Sequence, residues 1–142
     1  MRFMMLMIPL GYETAPPDVQ LDPERVKSMM RYNQALKDAG VLAALDGLHP
    51  PSMGARISFS GGNPVVTDGP FAEAKEVLGG YWMIQVSTKQ EAIEWASRCP
   101  AQDNEVIEVR QVQELADFPP DVQKAAAAFP AMQARSGRSQ GS

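Results

Sequence analysis

The chain of 142 residues has one cysteine, one histidine and no excess of positive charge. Each shortage removes a class of function. With Cys99 alone, no intrachain disulfide can form, which fits a reducing, cytoplasmic compartment. Cys99 and the sole histidine, His49, cannot build a structural zinc site, so no metal is expected. Neither glycine-rich nucleotide-binding pattern is present, and Ser52 and Ser58 lack a nucleophile-elbow motif; the expected chemistry is therefore cofactor-free. The 13 basic residues are outnumbered by 17 acidic ones, giving a net charge of -4. All of that charge lies before residue 113, because Lys124, Arg135 and Arg138 balance Glu114, Asp117 and Asp121 in the tail. A mildly acidic body lacks the field that phosphate backbones need, so direct nucleic-acid binding is disfavoured. No run approaches the ~18 apolar residues of a membrane span. The opening RFMMLMI superficially resembles a signal peptide, but it is short for one and no small-x-small cleavage site follows; it reads as a strand.

What is present is a regular order of elements. Residues 2–8 form an apolar strand. Asp22-Pro23-Glu24 starts a helix with Asp22 as N-cap, Val26, Met29, Met30 and Leu36 make its apolar stripe, and Gly40 stops it. Residues 41–48 read as a strand leading to the stiff loop His49-Pro50-Pro51. Ala55–Ser60, the turn Gly61-Gly62-Asn63 and Pro64–Thr67 make a hairpin. A strand over 81–86 precedes a second helix, with Thr88 and Glu91 as capping box, the face Ala92, Ile93, Trp95, Ala96 and Cys99, and Pro100 at its end. Residues 105–112 alternate as a last strand. Cys99 reads as a small buried hydrophobe.

Without the hairpin the order is βαββαβ, a ferredoxin-like α+β arrangement with both helices on one face of an antiparallel sheet. The domain spans 1–112. Residues 113–142 form a tail with a short helix over 121–129 and a disordered end at 135–142. The strands at 2–8 and 81–86 are apolar on both faces, yet two helices cover only one. A homodimer with sheets packed face to face follows, its interface drawing on Met and Trp side chains of the uncovered side.

The stretch TDGPFAEAKEVLGGYW at 67–82 carries the most information. Gly69 supplies backbone freedom and Pro70 stiffness, so Asp-Gly-Pro is a sharp turn. Pro70 suits the first position of a helix over 71–77, in which Phe71 and Lys75 share a face. Asp68 then reads two ways: a carboxylate bonding nearby backbone N–H groups, or one held ready for chemistry. DGPFAEAKE resembles the DGPFAETKE signature of the YCII-related domain family, with Ala74 where the usual residue is Thr. The likeness runs from GLHPP before the hairpin to IEVRQV after the second helix. It implies a dimeric α+β barrel, and for most members no established activity. Relatives in the wider group act on cyclic or aromatic compounds through a His–Asp pair, and DGPF members often neighbour genes for extracytoplasmic-function sigma factors.

The candidate catalytic residues are accordingly His49 and Asp68, with the carboxylate orienting the imidazole for proton abstraction; as a lone loop histidine, His49 also reads as a plain surface residue. Arg56, Gly69, Pro70, Phe71, Lys75 and Glu76 are candidate ligand-binding residues, though Arg56 also reads as a sheet-edge charge and Lys75 and Glu76 as an exposed helical face. Two functions remain open: a homodimeric enzyme carrying out proton transfer or elimination on a small cyclic or aromatic ligand, or a non-catalytic ligand-binding or regulatory module linked to sigma-factor transcription.

Overall fold

A computed structural model of the protein describes residues 1–71 and 74–132. Strand β1 (Arg2–Ile8) is followed by helix α1 (Pro23–Asp38), β2 (Leu42–Gly47), the hairpin β3 (Ala55–Ser60) and β4 (Asn63–Asp68), β5 (Gly80–Gln85), α2 (Lys89–Ser97), β6 (Val106–Gln111) and α3 (Pro120–Ala126). Four strands pair antiparallel in the order β2-β5-β1-β6, with β3 and β4 as a separate two-stranded sheet. Leaving the hairpin aside, the first and third strands lie at the centre. This is the ferredoxin-like α+β topology expected from the sequence.

Side-chain alternation divides the sheet into two unlike faces. Phe3, Met5 and Met7 of β1 are buried beneath the helices, with Trp82 and Ile84 of β5 beside them. Met4, Leu6 and Ile8 take the opposite face and remain half-buried. There Met4 pairs with Met83 and Arg110, and Leu6 with Tyr81 and Glu108. Trp82, the strand tryptophan expected on the uncovered side, instead belongs to the helix side. Its neighbours in the strand alternation, Tyr81 and Met83, are the residues left open, and its indole N–H donates to Asn33 Oδ1 at 2.7 Å.

Local chemistry fixes the helices. Asp22 Oδ1 accepts from the Glu24 N–H at 3.0 Å with Pro23 opening α1, and Gly40 follows the last turn at φ +73°. The inward face of α1 runs through Met29, Tyr32 and Leu36. Met30, expected on that stripe, is 61% exposed, since one residue on from Met29 turns about 100° round the helix. Tyr32 takes the anchoring role: its ring meets Trp82 edge-on at 5.6 Å and its hydroxyl donates to the Trp95 carbonyl at 2.6 Å, tying α1 to α2. Burial raises the Tyr32 phenol above its ordinary range, so it stays a donor.

In α2, Thr88 Oγ1 accepts from the Glu91 N–H at 3.1 Å, but the Glu91 carboxylate returns to Ser87 N–H, not to Thr88. Ala92 is buried and Trp95, Ala96 and Cys99 pack against the core, whereas Ile93 turns outward. Burial pushes the Cys99 thiol up to about 11, in keeping with a packing role.

The hairpin turn contains two residues, Gly61 and Gly62, both at positive φ, and Asn63 already pairs with Ser60. Every residue of β3 and β4 is exposed. Helix α3 spans Pro120–Ala126 where a helix over 121–129 was expected, and residues 135–142 lie outside the described residues. Among the described residues, no helix is long and apolar enough to cross a membrane.

Candidate functional site

Two loops meet at the base of the hairpin. Leaving β2, Leu48 N–H bonds the Gly79 carbonyl at 2.9 Å, Pro50 is buried, and Pro51–Met53 make a short 3-10 turn. Leaving β4, the Gly69 N–H donates to the Gly54 carbonyl at 2.9 Å. Here the reason for glycine becomes visible. A Cβ on Gly69 would lie 1.7 Å from the Pro51 carbonyl oxygen and 2.6 Å from its carbon. The residue is not at positive φ. Close backbone approach, and not the dihedral freedom expected from the sequence, excludes a side chain. The Asp-Gly-Pro turn is thus clamped onto the His-Pro-Pro loop, and its Gly69–Pro70 peptide is cis.

The helix expected over 71–77 is not formed at Phe71 or at 74–77, and the Ala74 N–H donates to the Phe71 carbonyl at 3.1 Å. A helix of about two turns is marginal on its own, and this segment is fixed at both ends by tertiary contacts. Val77 is buried, and Gly79 donates to the Met7 carbonyl at 2.9 Å while accepting from Leu48. Gly79 and Gly80 are also sites of close contact: added Cβ atoms would meet Pro9 Cγ at 2.7 Å and the Asp46 carbonyl at 2.8 Å. Without the helix, the i,i+4 basis for placing Lys75 along the Phe71 ring is gone. Arg56 occupies that ring instead, its guanidinium 4.2 Å from the centroid.

Between the two segments lies an open cleft of about 470 Å³. The first segment gives it His49, Met53 and Arg56; the second gives Phe71, Glu76 and Leu78. A cation backed by an aromatic ring, a carboxylate, an imidazole and apolar walls together suit a small ligand with one or two polar groups. Gly69 and Pro70 shape the cleft without lining it, and Lys75 is exposed outside it.

Asp68 also lies outside the cleft. It pairs with Ala55, and Arg56 with Thr67, so strand alternation sends Asp68 and Arg56 to opposite faces of the hairpin. No hydrogen bond joins His49 to Asp68. The parity was legible in the two-residue Gly61-Gly62 turn, which fixes the register. Met53 and Leu78 were missed because isolated apolar loop residues carry no signal of their own.

These features define a ferredoxin-like α+β protein with a loop-built cleft at one end of its sheet. The YCII-related domain matches residues 1–116, and the chain belongs to that family. An uncharacterized protein of Rhizobium meliloti (strain 1021) is 34% identical over 76 residues, covering 53% of this chain. The match spans 61% of that relative's length. The family is one of unestablished function.

Proposed function

We propose that the protein is a homodimer that binds a small cyclic or aromatic compound in the cleft between the His-Pro-Pro loop and the Asp-Gly-Pro-Phe segment. The observation that carries this reading is the convergence of His49, Arg56, Phe71 and Glu76 on one cavity, from segments clamped together at Gly69. Arg56, backed by Phe71, anchors an acidic or carbonyl group of the ligand, and Glu76 bonds a donor. His49 accepts a proton from the bound compound, which makes cofactor-free proton transfer or elimination the chemistry that fits the cleft. With Asp68 on the far face of the hairpin, this reading rests on His49 without a carboxylate partner from Asp68.

The uncovered sheet face supports the dimer. Its centre is apolar, through Met4, Leu6 and Met83, and its edges are polar. Arg110 Nη1 bonds Glu108 Oε2 at 3.3 Å on one side, and the Tyr81 hydroxyl donates to Asp46 Oδ2 at 2.9 Å on the other. An apolar centre with a rim of both charge signs is the anatomy of an isologous interface.

Calorimetric screening of a metabolite library against the whole chain tests the cleft. Binders are expected to lose about tenfold in affinity in His49→Ala and in Arg56→Ala, equivalent to ~1.4 kcal/mol, with Asp68→Asn within about twofold of the parent. Any turnover is expected to disappear in His49→Ala. Binders indifferent to both cleft substitutions would defeat the proposal.

A further inference from the structure

A second cavity, of about 420 Å³, opens between α1 and the loop over residues 9–22 and reaches Gly79. Its walls are mainly apolar, with Met7, Leu10, Val19, Leu21, Val26 and Met29 among them. Leu10 and Leu21 are 66% and 71% exposed, so the mouth presents apolar surface to water. The loop is held from outside: the Tyr12 hydroxyl donates to the Leu48 carbonyl, and Ser52 Oγ donates to the Ala15 carbonyl at 2.9 Å. The cavity is therefore built into the single chain.

Tyr12, Gln20 and Asp22 add polar groups to the lining, Asp22 Oδ1 being taken up by the Glu24 N–H, and the Arg25–Glu105 pair is its buried polar feature. The Glu105 side chain is only 2% exposed, and its Oε1 accepts both from Arg25 Nη2 at 2.7 Å and from the Gln102 N–H at 2.8 Å. Among the described residues, Oε2 accepts no hydrogen bond. Arg25, 40% exposed, bonds Glu105 through Nη2, and among the described residues its other N–H groups make no hydrogen bond. A ligand head placed here meets an acceptor and a donor side by side on a pair whose charges already cancel. A carboxylate would gain Arg25 but face Glu105, and an ammonium would gain Glu105 but face Arg25. A neutral group that both donates and accepts satisfies both.

We infer that this cavity is a second binding site, for an uncharged molecule with an apolar body and a carboxamide or lactam head. The head's N–H donates to Glu105 Oε2, its carbonyl accepts from Arg25, and its body covers Leu10, Leu21 and Val26. The volume lies within the usual range for small-ligand sites. Neither the cleft at His49 nor the open sheet face is needed for it.

Three probes with one phenyl body and different heads test the assignment: benzamide, benzoate and benzylamine. The whole chain, labelled with methyl-13C methionine, reports binding through Met7 and Met29, which line the cavity. Benzamide is expected to move both methyl signals saturably and to bind at least about tenfold more tightly than either charged probe. Glu105→Gln leaves Arg25 unbalanced and should reverse the order of benzamide and benzoate. Val26→Trp, at a partly exposed helix position, should fill the mouth and abolish the shifts, and it keeps the test decisive if Glu105→Gln fails to fold. Met7 and Met29 signals unmoved by benzamide at millimolar concentration, equal affinity for all three probes, or shifts that survive Val26→Trp would each overturn the inference.

Discussion

Gly69→Ala is expected to lower stability by about 3 kcal/mol and the melting temperature by roughly 10 °C for a chain of this size. The new methyl group would overlap the Pro51 carbonyl, 1.7 Å from its oxygen and 3.3 Å from that of Gly54. All the atoms in its way are backbone, so no side chain can rotate to make room. Relief requires parting the two loops, which also sacrifices the Gly69 N–H bond to Gly54 and opens the cleft. Gly47→Ala is the matched control: a Cβ there meets nothing within 4 Å, and the expected change is within about 0.5 kcal/mol. Thermal denaturation of the two variants checks the claim. A Gly69→Ala protein melting within about 2 °C of the parent would show that the loops are not clamped as described.

Met83→Glu is expected to weaken the proposed homodimer by at least about a thousandfold while leaving the single chain folded. Met83 lies on the uncovered face between Met4 and Ala44, with no cation among those strand neighbours. In the free chain, its half-buried position lets a carboxylate reach water. In an isologous pair the substitution appears twice, so two unpaired carboxylates must be desolvated at the interface. Sedimentation equilibrium should give twice the 15.5 kDa of one chain for the parent and a single chain's mass for the variant, with unchanged circular dichroism. A parent that sediments as one chain, or a variant that stays paired, would refute face-to-face packing.

The fold was readable because each of its elements carries a local signal: Asp22-Pro23 and Thr88 at helix starts, Gly40 at a stop, and strands apolar on one or both faces. The helix stripe was read less well. Met30 and Tyr32 have similar claims on the α1 core by composition, and only the packing against Trp82 chooses the tyrosine. The candidate site was legible as two segments but not as a geometry. His49, Arg56, Phe71 and Glu76 do share a cavity. Asp68 does not, because strand parity outranks its closeness in sequence to Phe71. At Phe71 and 74–77, where a helix was expected, the hydrogen bonds of Gly79 with Met7 and Leu48 outweigh the local preference.

His49 gives the most direct test of the cleft as the ligand site. It is the only histidine in the chain, so its imidazole C–H protons need no assignment by mutagenesis. Proton NMR of the whole chain against a library of small cyclic and aromatic compounds should find binders that move these signals in proportion to occupancy. Compounds that saturate the protein while the His49 signals stay fixed would contradict the account.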